Sequence, residues 1–155
     1  MNSLKPIWLV EDSADEIELT LAALESIHLA NHVVVMHDGS EVIDRLKADT
    51  RTESLPAVIL LDIKMPKVSG IEALRAIKID LKLKNLPVVM LTSSRQGPDV
   101  AECYALGANA YVVKPVESAA FIDAVTTIGK FWAVVNERLD ANRIGEVTNA
   151  QPAER

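Results

Sequence analysis

The chain is organised around the stretch VILLDIKMP at residues 58–66. Four apolar residues in succession are typical of a strand that is buried on both faces, as in a parallel sheet. This strand ends at Asp62, and Pro66 and Gly70 indicate that the chain turns soon afterwards. Ligands of open α/β sheets bind beyond the carboxyl ends of the strands. Asp62 is therefore a candidate functional carboxylate, although most strand-end acids are simply solvated.

The composition limits the class of protein. A chain of 155 residues suffices for one domain with a hydrophobic core, and 49% apolar with 25% charged residues is usual for such a domain. The net charge of −6 argues against DNA binding through a basic surface. The single Cys103 excludes an internal disulfide and fits the cytoplasm. We find no signal peptide and no apolar run that approaches a membrane span, so we expect a cytoplasmic protein without membrane contact.

Four further apolar runs resemble the first one. They are separated by stretches with the apolar spacing of helices, and they lie at residues 7–10, 33–36, 88–91 and 110–113. Ser13 is a predicted N-cap of the first helix, and Asp15 and Glu16 suit its positive end. Alternating strands and helices predict a parallel sheet covered on both faces. The crossover rule favours a flavodoxin-like (βα)5 fold, which is a doubly wound α/β sheet with strand order 2-1-3-4-5.

The fifth helix is unusually long. We expect the domain to span residues 1–142, with this helix reaching about Asn142, and residues 143–155 to form a polar tail. Apolar residues recur along the helix at steps of four and three, namely Phe121, Val125, Ile128, Trp132, Val135 and Leu139. Covering the sheet requires the helix only as far as about Lys130. The remainder either folds back on its own domain or meets a second chain, and we predict a homodimer that buries Trp132.

Polar side chains follow the predicted strands one, three, four and five. These residues are Glu11 and Asp12, then Asp62, Thr92 and Lys114. Because the four strands are neighbours in the predicted order, the side chains should converge on one crevice. Three carboxylates repel each other unless a cation joins them, and hard oxygen ligands suit Mg²⁺. A carboxylate beside a metal, a hydroxyl and an ammonium indicates the formation of an aspartyl phosphate.

The same residues resemble the receiver domain of two-component response regulators of the CheY-like kind. The resemblance covers about residues 5–135. It rests on Glu11-Asp12, on Asp62 with Met65-Pro66 and Gly70, on Thr92-Ser93, and on Tyr111 with Lys114-Pro115. It implies a phosphoprotein that signals through conformational change and protein contacts and that is not an enzyme.

The resemblance also implies a role for each site residue. Asp62 would accept a phosphoryl group from a sensor histidine kinase or a phosphotransfer protein. Lys114 would pair with that group, while Thr92 and Tyr111 would act as switch residues. The Lys114-Pro115 bond would be cis. The Mg²⁺ ligands would be Glu11, Asp12, Asp62 and the backbone carbonyl of Lys64.

Further features resemble one kind of response regulator, the stand-alone kind. About twenty residues follow the expected end of the fold, which is too few for a DNA-binding module, so we expect a stand-alone regulator. The loop at residues 50–55, the extended segment with Lys82 and Lys84, and the Phe131-Trp132 pair resemble regulators that accompany bacterial phytochrome kinases. We interpret Lys78, Lys82 and Lys84 as a solvated basic face.

Two other function classes remain open from the sequence. A phosphohydrolase of the haloacid-dehalogenase type also uses a strand-end Asp, but it requires a second acid where Lys64 lies. Steady turnover of phosphate esters would favour that class. A receiver-like binding module that is never phosphorylated is the other alternative. Failure of acetyl phosphate to modify Asp62 would favour it.

Overall fold

The computed structural model describes residues 5–48 and 55–137. These residues form a five-stranded parallel sheet in the order β2-β1-β3-β4-β5. The strands are β1 (Ile7–Val10), β2 (Val33–Met36), β3 (Val58–Leu61), β4 (Val88–Thr92) and β5 (Ala110–Val113). The predicted flavodoxin-like fold and its strand order are confirmed.

A helix follows each strand. The helices are α1 (Ala14–Glu25), α2 (Gly39–Ala48), α3 (Gly70–Ile79), α4 (Gly97–Ala105) and α5 (Ser118–Gly129). Their ends agree with local sequence signals. The hydroxyls of Ser13 and Ser69 accept backbone N–H groups in the first turns of α1 and α3. Gly107, with φ of +104°, follows α4 in the left-handed conformation that favours glycine.

The sheet separates two hydrophobic clusters. Because successive strand residues point to opposite faces, Ile59 enters the cluster under α2 and α3 while Leu60 enters the cluster under α1 and α5. We call these the α2/α3 cluster and the α1/α5 cluster. Every residue of β1, β3 and β4 is buried. The continuous apolar runs in the sequence therefore reflect strands that are covered on both faces.

Helix α3 begins very close to the end of β3. The N–H of Gly70 donates to the carbonyl of Ile63 at 2.8 Å. A Cβ atom at residue 70 would lie 1.8 Å from the carbonyl oxygen of Asp62, so no residue other than glycine fits without a backbone shift. The loop between Asp62 and Gly70 is thereby drawn tight against the strand end.

The last helix differs from the prediction. After Gly129 the chain continues as a π-helical segment, Lys130–Val135, and Asn136 then adopts extended backbone. The N–H of Asn136 donates to the carbonyl of Phe131, five residues back, at 2.6 Å. The prediction that the helix reaches Asn142 is therefore wrong, because the helical hydrogen bonding ends here. Leu139 and the predicted tail at residues 143–155 lie outside the described residues.

The residues after Lys130 are divided between the core and the solvent. Trp132 is half-buried against the α1/α5 cluster, and its ring meets that of Phe131 edge-on at 5.0 Å. Phe131, Val134 and Val135 are 46%, 58% and 68% exposed. We call these three residues the helix-end strip. The end of the helix therefore packs partly on its own domain, and Trp132 is not a free aromatic anchor.

The stretch Ser118–Val135 is long and apolar enough to cross a membrane by length and composition alone, and it is the one such stretch among the described residues. Our expectation that the sequence contains no such run is wrong. Packing offers another reason for the apolar composition. Phe121, Val125 and Ile128 are buried on the side of the helix that covers the sheet.

Lys78 is not part of a solvated face. Its Nζ donates to the carbonyl oxygens of Lys84 at 3.0 Å and Leu86 at 2.7 Å. It also donates to Oδ1 of Asn109 at 3.1 Å, and this oxygen accepts the N–H of Val88 at 2.9 Å. Burial lowers the pKa of Lys78. The interpretation of this residue as solvated is wrong, because its ammonium joins the loop after α3 to Asn109, which in turn holds the start of β4.

Candidate functional site

The ends of β1, β3 and β5 bring Glu11, Asp62 and Lys114 together. The Nζ atom of Lys114 lies 2.6 Å from Oε2 of Glu11 and 3.0 Å from Oδ2 of Asp62. All three side chains are buried. The predicted convergence of these strand-end residues on one crevice is thus observed.

Backbone hydrogen bonds fix the two buried acids. The N–H of Asp62 donates to the carbonyl of Val10 at 3.1 Å, and that of Glu11 donates to Met36 at 2.9 Å. Oδ1 of Asp62 accepts the N–H of Ile63 at 2.7 Å. Because Oδ1 is held in this way, Oδ2 is left to face Lys114.

Glu11, Asp12 and Asp62 form an acidic cluster in which one carboxylate oxygen of each residue lies within 4.8 Å of the others. Glu11 and Asp62 are buried, whereas Asp12 is exposed and leaves one side of the cluster open. Three hard oxygen donors at this spacing fit a divalent cation. The side chain of Lys64 is exposed two residues beyond Asp62, and its backbone carbonyl stays a predicted ligand.

The charges in the site depend on one another. Burial raises the pKa of Glu11 to about 8, and the charge of Asp62 adds to this rise, although the hydrogen bond from Lys114 opposes it. Burial alone would lower the pKa of Lys114. Its hydrogen bonds to Glu11 and Glu16 and the charge of Asp62 outweigh burial, so the pKa of Lys114 is raised. A bound cation would favour ionised Glu11 in the same way as the ammonium does.

Ser94 links the two predicted switch residues. Thr92 is buried at the end of β4, and its Oγ1 accepts the N–H of Ser94 at 3.4 Å. Tyr111 packs against the α2/α3 cluster, and its hydroxyl donates to the carbonyl of Ser94 at 2.9 Å. The Ser94 hydroxyl in turn donates to Asp99 in the first turn of α4. Sequence reasoning did not single out Ser94, because a serine two residues after a strand is common in loops.

Sequence reasoning also missed a contact of Glu16. Oε2 of Glu16 accepts a hydrogen bond from Nζ of Lys114, 98 positions further along the chain. The sequence indicated only that an acid in the first turn suits the positive end of α1. The available signal was that Glu16 lies in the first turn of α1, which starts soon after the end of β1 and so keeps Glu16 near Glu11 and Asp12.

The peptide bond that follows Lys114 is trans. No cis peptide bond occurs among the described residues, so the expected cis Lys114-Pro115 bond is wrong. The two isomers of a bond before proline differ by only about 0.5–1 kcal/mol, and the local sequence does not decide between them.

Comparisons with known proteins agree with this arrangement. A family model described as the response regulator receiver domain matches residues 7–126. Response regulator Rcp1 of Synechocystis sp. is 34% identical over 133 residues, which cover 84% of this chain and 90% of Rcp1. Rcp1 has also been solved in a Mn²⁺-bound form, with a TM-score of 0.79 and coverage of 87% of this chain and 99% of that one at 32% identity.

Two other solved structures are similar over most of their length. The phosphorylated cyanobacterial phytochrome response regulator RcpA has a TM-score of 0.81 at 34% identity, covering 88% of this chain and 99% of its own. The bacteriophytochrome response regulator AtBRR is 50% identical with a TM-score of 0.67, covering 88% of this chain and 100% of its own.

Proposed function

This chain belongs to the response regulator receiver family, and from that membership we propose that Asp62 accepts the phosphoryl group. Receiver domains act in signalling. The observation that carries the proposal is the buried contact of Asp62 with Lys114, beside Glu11 and Asp12. It combines a strand-end nucleophile with a cation and with donors for a metal.

The chemistry follows from these groups. A carboxylate oxygen of Asp62 attacks the phosphorus of a phosphohistidine, and the P–N bond breaks with its electron pair remaining on the imidazole. The product is a mixed anhydride on Asp62. Lys114, whose Nζ is 3.0 Å from Oδ2 of Asp62, stabilises negative charge on the phosphoryl oxygens.

We propose Mg²⁺ as the metal, held by Glu11, Asp12, Asp62 and the backbone carbonyl of Lys64. The donors are all oxygens, which suits Mg²⁺. Rcp1 has been solved in a Mn²⁺-bound form, which supports the binding of a divalent cation by this chain. When bound, the cation supplies positive charge for the transferring phosphoryl group.

Thr92 and Tyr111 carry the signal in this proposal. The Thr92 hydroxyl leaves the N–H of Ser94 and turns to the phosphoryl group, and Tyr111 turns inward and gives up its bond to the Ser94 carbonyl. Since Ser94 also contacts Asp99, the change reaches the start of α4. The altered surface is then read by a protein partner.

The test is phosphorylation by acetyl phosphate and Mg²⁺, followed by intact-mass measurement. The wild type should gain the mass of one phosphoryl group and Asp62→Asn should gain none. Asp44→Asn removes an exposed acid on α2 and is the matched control, which should behave like the wild type. Equal mass gain in wild type and Asp62→Asn would contradict the proposal.

The metal is tested by thermal unfolding. Metal that binds only the folded protein stabilises it by about 2.7 kcal/mol at a hundredfold excess over Kd. Millimolar Mg²⁺ should therefore raise the melting temperature of the wild type. Asp12→Ala should abolish the shift, whereas Asp15→Asn, which changes an acid outside the cluster, should retain it. Identical shifts in both variants would argue against this site.

The names of the relatives support a phytochrome-type sensor histidine kinase as the phosphoryl donor, with a phosphotransfer protein as the alternative. We also propose a cytoplasmic location, with neither DNA nor a membrane as partner. In a phosphotransfer assay, a purified bacteriophytochrome kinase should phosphorylate Asp62 faster than an unrelated histidine kinase does. Equal rates from both kinases would remove the support for this pairing.

We further propose a homodimer through the end of the fifth helix. The helix-end strip is an apolar surface with no cover among the described residues, and a two-fold contact would bury it. Light scattering should show a dimer at micromolar concentration that Val134→Glu weakens. Leu81→Glu is the control, because it places the same charge on an apolar residue that is 81% exposed elsewhere. A monomeric wild type, with and without phosphorylation, would contradict the proposal.

A further inference from the structure

The ammonium of Lys114 has no donor to spare. An ammonium carries three N–H groups, and Lys114 uses them on three different carboxylates. Two acceptors, Glu11 at 2.6 Å and Asp62 at 3.0 Å, are buried. The third acceptor, Glu16, has a side chain that is 39% exposed. A phosphoryl oxygen on Asp62 can receive a hydrogen bond from Lys114 only if one of these contacts is released.

Of the three acceptors, Glu16 is the one that can leave most easily. Its carboxylate is partly hydrated already, so water can replace the hydrogen bond from Lys114. Release of Glu11 would instead leave a buried charge without its ammonium. The contact with Asp62 passes to the phosphoryl group itself, because a phosphorylated Asp62 no longer carries a carboxylate charge. The structure therefore places a dispensable anion on Lys114, and this anion draws the ammonium away from a phosphoryl group on Asp62.

Helix capping does not account for the contact of Glu16 with Lys114. Residues 13–16 have the S-x-x-E pattern of a capping box, in which the Glu side chain accepts the N–H of the N-cap residue. Ser13 Oγ does accept the N–H of Glu16, at 3.4 Å. The N–H of Ser13, however, donates to Oε1 of Glu11 at 3.1 Å. Glu11 thus takes the capping role, and Glu16 is free to reach Lys114.

We propose that Glu16 is a positioning residue, which holds Lys114 in the unphosphorylated protein and competes with the phosphoryl group for it. This inference rests on the proposed phosphorylation of Asp62. Glu16 acts through Lys114 and therefore alters the affinity for phosphoryl-like anions. Removing the contact should make such anions bind more tightly.

The probe is beryllofluoride, a phosphoryl analogue that binds a carboxylate reversibly, titrated by calorimetry with Mg²⁺ present. Glu16→Gln removes the charge and keeps the shape. Glu16→Asp keeps the charge, but its side chain is shorter by one carbon–carbon bond of about 1.5 Å, so it falls short of Lys114. Both variants should bind beryllofluoride about threefold to fivefold more tightly than the wild type, as expected for release of a partly exposed ion pair.

Asp15→Asn is the matched control, because it removes one negative charge from the same helical turn without a contact to Lys114 among the described residues. We expect Asp15→Asn to leave the affinity for beryllofluoride within a factor of about 1.5, since an exposed charge without a contact to Lys114 is screened by solvent and salt. A merely structural role of Glu16 would shift the urea midpoint and leave the beryllofluoride affinity unchanged.

The outcomes separate this inference from the function on which it rests. Acetyl phosphate is first tested on the wild type, and absence of phosphorylation there would overturn both. A phosphorylated wild type whose beryllofluoride affinity is unchanged in Glu16→Gln and Glu16→Asp would overturn only the role of Glu16. Equal tightening in Asp15→Asn would assign the effect to net charge and would also overturn that role.

Discussion

Replacing Lys114 by Met removes the ammonium while keeping a long side chain at the end of β5. The change leaves Glu11 and Asp62 buried without their cation. Removing one partner of a buried ion pair destabilises a protein by about 3–5 kcal/mol. The contact with Glu16 adds little, because its side chain is 39% exposed.

The loss should lie near the lower end of that range. Burial raises the pKa of Glu11 to about 8 even though the hydrogen bond from Lys114 lowers it, so without the ammonium this pKa rises further and Glu11 stays neutral near pH 7. We therefore expect Lys114→Met to lower the free energy of unfolding by about 3 kcal/mol near pH 7. Domains of this size have about 5–15 kcal/mol, so the variant should remain folded.

The assay is urea unfolding in metal-free buffer followed by circular dichroism. With an m value of about 2 kcal/mol/M, the midpoint should fall by about 1.5 M urea. Lys67→Met is the control, because the Lys67 side chain is 74% exposed and lies 4.0 Å from Asp38. It should cost less than about 1 kcal/mol.

A double variant tests the reason for the loss. Lys114→Met with Asp62→Asn removes the cation together with the buried charge that it leaves behind, so it should be more stable than Lys114→Met alone. A loss below about 1 kcal/mol for Lys114→Met, or additive losses in the double variant, would refute the reasoning.

Three further changes test the fold around the site. Gly70→Ala would place a Cβ atom 1.8 Å from the carbonyl oxygen of Asp62, so we expect it to cost more than about 2 kcal/mol in urea unfolding and to slow phosphorylation by acetyl phosphate. Asp38→Ala removes the acceptor for two N–H groups of α2 and should cost about 1 kcal/mol. The hydrogen bond from Ser40 lowers the pKa of Asp38 in the folded protein. The stabilisation by Asp38 is therefore complete above the unfolded pKa of about 3.9 and is lost as the pH falls through the folded pKa. The urea midpoints of the wild type and of Asp38→Ala should accordingly converge at acid pH. Lys78→Met leaves three oxygen acceptors without their ammonium and should lower the free energy of unfolding, measured with urea, by about 2 kcal/mol. An unchanged free energy would show that the loop after α3 is held by other contacts.

The strands and their polar ends could be predicted because burial on both faces leaves a direct mark on the sequence. The apolar run Val58–Leu61 predicts a central strand, and Asp62, which follows it, is then expected at the carboxyl end of the sheet. The crossover rule then placed Glu11, Asp62 and Lys114 together, although 103 residues separate the first from the last. Chain order and handedness, rather than any local preference, carry this part of the prediction.

Side-chain choices among several partners could not be predicted. Glu16 could have capped its own helix, and Lys78 could have pointed into solvent, as most lysines do. Their actual partners lie on other helices, strands and loops. Which partner is in hydrogen-bond reach depends on the position of those elements to within about 1 Å, and the sequence does not specify that position. The end of the fifth helix shows the same limit, since the steps of four and three that continue to Val135 fit both an α-helix and the observed π-helical turns.

The two tryptophans of the protein, which dominate its intrinsic fluorescence, lie on opposite faces of the sheet. Trp8 and Trp132 are its two tryptophans, and they lie in the α2/α3 cluster and the α1/α5 cluster respectively. The Trp8 ring is buried with the guanidinium of Arg45 5.6 Å from its centre, whereas Trp132 is partly open to water. Trp132→Phe and Trp8→Phe would thus give one emitter for each layer. Coincident traces would show that both layers unfold together, and separated traces after phosphorylation would identify the layer that loosens first.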